Sequence, residues 1–316
     1  MKYSKSQIAM FFVALAALFA VMSLGSGTSR GQSSVASKPV EGAPAESRVK
    51  PTSMVRDRRV EAAPKSALPS AAFAAAAARN ALLRNELNWL FGGRQQRGWY
   101  LYTPLIKHLL NTEHDVDSGG FASALASWQT KSGLKPSGVL DEESLYAMVS
   151  EWQARRLQDR SSAQPEQLVT ASASDFYDNE RLDELRQVER ETYAAYKRMV
   201  AAAATDPSLG LEIAGNGELA AAEKYLKILS SFRTREYQEK LRMEAPQAGR
   251  AGLAINSPHF TGRALDLYVG GDPVDTKDAN RAIQIQTRVY QWLVRNAEHF
   301  GFRPYYYEPW HWEYVR

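Results

Sequence analysis

Two short runs near the end of the chain gather side chains that can do chemistry together. Ser257–Asp266 reads SPHFTGRALD and Glu308–Tyr314 reads EPWHWEY, and between them they supply His259, Asp266, Glu308 and His311. Two imidazoles and a carboxylate are the donor set of a one-metal hydrolytic site, in which three protein ligands leave a fourth zinc position open to water. A further carboxylate beside that water can take its proton, because zinc lowers the water's pKa toward neutrality. The chain contains no cysteine, so disulfides, thiolate metal sites and cysteine nucleophiles are excluded. Any metal must sit on His, Asp or Glu.

These residues need elements that bring them together. Ala264 to Val269 alternates in the manner of a strand, which places Asp266 on it and His259, seven residues earlier, on the loop that feeds it. Gly262 and Ala264 are small enough to let the two side chains converge. Pro309 restricts Glu308 to an extended backbone, so Glu308 and His311 do not belong to the two-histidine helix of thermolysin-like enzymes. Upstream, Leu226 to Leu229 reads as a short strand entering SSFRT, Ser230 to Thr234, with Gln238 four residues beyond. An arginine at a strand end, Arg233, can hold a carboxylate or stabilise an oxyanion. Taken one at a time, each histidine and this arginine would more often be structural or surface residues. Their combination carries the argument.

SPHFTGRALD fits an S-x-H-x-x-G-x-A-x-D signature and EPWHWEY an E-x-W-H signature. In these motifs the chain resembles the zinc D-alanyl-D-alanine carboxypeptidases and dipeptidases of the VanY and VanX kind. SSFRT with Gln238 resembles that family's S-G-Y-R-S segment, and Tyr290 to Phe302 resembles its helix before the last ligand. The resemblance spans Thr192 to Arg316. It implies His259, Asp266 and His311 as zinc ligands and Glu308 as general base and acid. It also implies Arg233 as the group that polarises the scissile carbonyl or holds substrate, with Ser257, Trp310 and Gln238 around the substrate. His299 matches no ligand position. There are departures: Ser231 stands for the usual Gly, Asn256 for a frequent Gly, and Glu313 for a frequent Arg, and only eight residues lead from Gly301 to Glu308. These leave the catalytic groups in place and put specificity in question.

The rest of the chain reads as delivery. Lys2 and Lys5 precede an uncharged stretch whose apolar centre runs from Ile8 to Leu24. Residues 1–29 therefore read as a signal peptide or a single-pass membrane anchor, and both remain open. Residues 30–79 are rich in Ser, Pro, Ala and scattered charge and read as a disordered linker. The net charge is +4. Lys2, Lys5 and eight Lys or Arg between residues 30 and 65 face only four acids there. That excess is larger than the whole-chain charge, so residues 66–316 are slightly acidic and lack the basic surface that nucleic-acid binding needs.

Residues 80–157 read as a small all-α module. Phe121, Leu125 and Trp128 fall at helical spacing, as do Leu145, Met148, Val149 and Trp152, with Asp141 as N-cap of the second helix. Trp128-Gln129, Gly133-Leu134, Gly138 and Asp141 resemble the second half of the helical peptidoglycan-binding module. His108 and His114 lie here without acidic partners at ligand spacing. Residues 158–174 read as a second linker, and Asp175 to Ala204 as a long amphipathic helix that opens the domain of residues 175–316.

The fold expected is α+β: a small antiparallel sheet with flanking helices carrying a Zn2+ site, plus the helical module. The function expected is removal of the terminal D-alanine from peptidoglycan stem peptides by an exported, monomeric enzyme of the periplasm or cell envelope. L,D-carboxypeptidase action, endopeptidase action on crosslinks, and a non-catalytic wall-binding scaffold are the alternatives. A serine mechanism has a single cue, Ser132 to Lys135 as S-x-x-K, with no K-T-G to accompany it.

Overall fold

The computed structural model describes residues 70–244 and 256–315. The expected signal or anchor and residues 30–69 of the first expected linker lie outside the described residues, and residues 70–79 of that linker instead begin a helix. Among the described residues no helix is long and apolar enough to cross a membrane.

The architecture is α+β, as expected, with helices around small antiparallel sheets. Helix α1 (Ser70–Glu86) leads into a hairpin of β1 (Asn88–Phe91) and β2 (Arg94–Arg97). Helices α2 (Thr103–Leu109), α3 (Gly119–Lys131) and α4 (Glu142–Ala154) follow. The hairpin corrects the all-α expectation for this region. Its two-residue turn, Gly92-Gly93, has positive φ at both positions (62° and 70°), the backbone that a tight hairpin favours. Asp141 caps α4 as expected, its carboxylate accepting from the Ser144 N–H at 2.9 Å. Gln129 is fully buried and donates to Ser144 Oγ and to the Val139 carbonyl while accepting from the Gly138 N–H, each at 2.9 Å. Gln129 thus knits α3 to the turn before α4.

Residues 158–174, expected as a linker, are built into the fold. The Ala163 N–H donates to the Phe260 carbonyl, and β3 (Leu168–Thr170) pairs antiparallel with β4 (Gln187–Glu189). The long helix expected from Asp175 begins only at Arg190: α5 (Arg190–Ala204) is capped by Glu189, whose carboxylate accepts from the Thr192 N–H. Two short 3-10 turns and β4 occupy the preceding stretch. The acidic residues there are turn and cap formers rather than one face of a helix.

The central sheet has four antiparallel strands in the order β5 (Ile228–Ser230), β6 (Ala264–Leu267), β8 (His311–Tyr314), β7 (Phe302–Pro304). Helix α6 (Arg235–Glu244) follows β5, and α7 (Asp278–Gln284) and α8 (Arg288–Asn296) lie between β6 and β7. The apolar face of β8 turns Trp312 into the core against Tyr290 of α8. One hydrophobic core runs from Trp89 and Trp99 through Trp152 to Trp310 and Trp312. Its junction is Tyr306, in the loop between β7 and β8. The Tyr306 ring meets Phe91 at 5.1 Å, Tyr102 at 5.5 Å and Trp152 at 5.8 Å. Such aromatic pairs add about 0.5–1.5 kcal/mol each beyond the area they bury.

Because the helical region and the central sheet share that core, the full chain is expected to unfold in guanidinium chloride as one cooperative transition. Trp152→Ala should lower its stability by about 3–5 kcal/mol, the range for emptying a buried Trp site. Two resolved transitions, or a Trp152→Ala midpoint equal to wild type, would show the two regions to be independent.

Candidate metal centre

The site forms where β6 meets β8. Their register sets Asp266 directly opposite His311, and β5 sets Ser230 opposite Asp266 on the other side. Opposed residues share a face of the sheet with Cβ atoms about 4.5–5.5 Å apart, so His311 and Asp266 meet because of strand pairing. His259 arrives from a 3-10 turn, Pro258–Thr261, that enters β6. Ser257 is the N-cap of that turn and its hydroxyl accepts from the His259 N–H. The turn ends at Gly262, with φ 65°. A Cβ there would lie 2.9 Å from the Glu189 backbone nitrogen, while the Glu189 N–H donates to the Gly262 carbonyl. The glycine is required both by its left-handed backbone and by that close approach.

The ligand atoms of His259, Asp266 and His311 all lie within 4.8 Å of one another, and all three residues are buried. They are the group among the described residues that can hold a metal ion. Each imidazole has its other nitrogen assigned by a partner. His259 Nδ1 lies 2.7 Å from the Ser231 carbonyl oxygen. A carbonyl only accepts, so Nδ1 carries the hydrogen and Nε2 is left with its lone pair. That Nε2 is buried without a hydrogen-bond partner and lies 3.3 Å from Asp266 Oδ2. A lone pair facing a carboxylate oxygen, both out of water, is repulsive until a cation stands between them. The donor set therefore fits a metal on electrostatic grounds, as well as by residue type.

The titration properties agree. Burial and the Arg233 guanidinium hold His259 down to about 4, so it is neutral and able to ligate at neutral pH. For Asp266, burial alone would raise the carboxyl, but the two imidazoles outweigh it and hold it well below the usual carboxylate range. Burial likewise works against the charged form of His311. It is overcome by hydrogen bonds from Nδ1 to Asp266 at 2.8 Å and from Nε2 to Glu313 at 3.2 Å, which bring His311 up to about 9. A metal on Nδ1 would take the place of that proton and leave Nε2–H to Glu313.

Glu308 sits three residues before His311 in the tight turn between β7 and β8, where the His311 N–H donates to its carbonyl. Its side chain is buried, and that burial pushes its pKa up to about 8 against the opposing pull of His311. Arg233 is buried beside the cluster. Its Nη2 lies 3.7 Å from Asp266 Oδ2, Nη1 donates to Gln238 Oε1 at 3.0 Å, and Nε has no partner. Gln238 thus holds Arg233 in place. Trp310 is fully buried, and its carbonyl accepts from the Leu267 N–H. Ser257 and Trp310 therefore brace the turn and the strand that carry the histidines.

The residue that sequence reasoning passed over is Glu313. Two positions beyond His311 on β8, it shares that residue's face, and it is fully buried. The alternation H-W-E within EPWHWEY was a signal that could have found it. His108, His114 and His299 stand apart from the cluster. A cleft of about 490 Å³ lined by residues such as Arg84, Tyr100, Lys107 and Arg295 is also separate from it.

Residues 185–316 match the model of the VanY family, D-alanyl-D-alanine carboxypeptidase. This part of the chain is a VanY domain. The match begins upstream of Thr192, where the resemblance in the motifs starts, so the VanY domain takes in β4 and the whole of α5. No curated protein matches the chain.

If the three residues form one centre, wild-type protein should hold a single divalent metal ion per chain after desalting, and Asp266→Asn, which keeps the shape and removes the charge, should hold none. Elemental analysis decides this. An Asp266→Asn protein with the wild-type metal content would place the metal elsewhere.

Proposed function

We propose that the protein is a zinc-dependent carboxypeptidase that removes the terminal D-alanine from peptidoglycan stem peptides in the cell envelope. The observation that carries this reading is the buried set of His259, Asp266 and His311 with Glu308 beside it, inside a VanY domain. We assign His259 Nε2, an oxygen of Asp266 and His311 Nδ1 as the zinc ligands. Zinc bound there would supply Lewis acidity toward the scissile carbonyl and a water acidic enough to ionise near neutral pH.

The protein's own groups do the rest. Glu308, with its proton affinity raised into the neutral range by burial, is suited to accept a proton from water and return it to the departing D-alanine amine. Arg233 brings a buried positive charge and an unpartnered Nε–H, which suit the C-terminal carboxylate of a substrate or the oxyanion that forms at the cut bond. Gln238 fixes one arm of that guanidinium. Ser230 Oγ, opposite Asp266 and buried without a partner, is a second donor on the same face. Deep burial keeps bulk water from screening these charges. The apolar stretch from Ile8 to Leu24 supports export to the compartment where such a substrate is found.

The test is digestion of defined muropeptides followed by mass spectrometry. Pentapeptide should lose one D-alanine, whereas tetrapeptide and crosslinked dimer should persist. Glu308→Gln should lower turnover by about 10²- to 10⁴-fold while keeping its zinc. Cleavage of tetrapeptide or dimer in preference to pentapeptide would reassign the bond, and full activity in Glu308→Gln would remove that residue from the reaction.

A further inference from the structure

The VanY domain begins at residue 185, yet the histidine at its centre is reached from outside it. His311 Nε2 lies 3.2 Å from Glu313 Oε1. That oxygen also accepts from Arg156 Nη2 at 2.5 Å and lies 3.7 Å from Arg160 Nη2, while Glu313 Oε2 accepts from the Leu157 N–H at 2.9 Å. Arg156 follows the end of α4, and its guanidinium also lies over the Tyr305 ring, 3.9 Å from the centroid. Both members of the pair are buried, with 6% of the Arg156 side chain and none of the Glu313 side chain exposed. Three donors and one further cation converge on one carboxylate, and all of them but His311 come from residues 156–160.

Stability alone is a poor account of such a pair. Withdrawing two charges from water is costly for each ion, and replacing a buried ion pair with apolar residues is often neutral or favourable. What the pair does supply is a fixed acceptor for His311 Nε2–H. With that hydrogen held by Glu313, the ring plane is set, and Nδ1, whose own proton goes to Asp266 Oδ1 2.8 Å away, is the nitrogen left to a metal that takes that proton's place.

We propose that Glu313, clamped by Arg156, is a positioning residue for the metal centre. It fixes His311 as a ligand through Nδ1, so that the helical region before the VanY domain sets the affinity of the site for metal. This rests on the reading of His259, Asp266 and His311 as zinc ligands.

The test is zinc affinity, measured by competition with a chromophoric chelator on the full chain, with no substrate present. Two variants are compared with wild type. Glu313→Gln keeps the shape and an acceptor oxygen but removes the charge, and the double variant Arg156→Met with Glu313→Leu removes both charges together and leaves neither unpaired. Thermal melts of the metal-free proteins establish that each is folded, and should one fail to fold, the other decides. Outer-shell partners of this kind are worth about 10- to 100-fold in metal affinity. Glu313→Gln is expected toward the lower end of that range and the double variant toward the upper end. A folded variant that binds zinc as tightly as wild type would overturn the proposal and leave the metal site standing. Wild-type protein that binds no zinc would overturn the metal site and this inference with it.

Discussion

A carboxylate as deeply buried as Asp266 must be surrounded by positive charge or hydrogen-bond donors, because an isolated anion out of water is prohibitively unfavourable. The structure around it follows from this need. His311 is brought opposite by strand pairing, His259 by a capped 3-10 turn, and Arg233 by the end of β5. Even so, one mismatch remains in the protein itself, the lone pair of His259 Nε2 against Asp266 Oδ2. A cation between the two atoms would resolve that mismatch.

The helical region does more than precede the VanY domain. Phe91, Tyr102 and Trp152 enclose Tyr306, and Tyr306 stands in the short loop that delivers Glu308. Arg155 pairs with Glu298 beside Arg303, and Arg156 with Glu313. The end of α4 therefore braces the loop bearing Glu308 on one side and the strand bearing His311 on the other. A connection of eight residues from Gly301 to Glu308 has little material of its own with which to hold a buried carboxylate. The neighbouring helices supply the missing support.

Much of the site was legible in the sequence because its signals are local. The strand carrying Asp266, the small residues that let His259 approach it and the extended backbone that Pro309 imposes on Glu308 can each be read within about ten residues. Register between β6 and β8 is a relation across forty-five residues, and no local pattern specifies it. Glu313 was taken as a departure from a motif, since its meaning depends on Arg156, which is distant in the chain. The hairpin of β1 and β2 did carry a local signal, Gly92-Gly93, that was outweighed by the helical spacing further along the region, from Phe121 to Trp152. The stretch from Asp175 to Glu189 looked helical by periodicity, yet its carboxylates serve as caps and turn formers. The helical region also looked separable because its own core residues are sufficient to form helices. Its aromatic residues Phe91, Tyr102 and Trp152 also pack on Tyr306, which arrives from the far end of the chain.

X-ray absorption at the zinc edge of the purified full chain tests the central claim most directly. The account predicts one zinc in a first shell of about four N or O atoms at about 2.0–2.1 Å, with outer-shell scattering from two imidazoles, and loss of one imidazole contribution in His259→Ala. A first shell with no imidazole scattering, or one unchanged in His259→Ala, would contradict it.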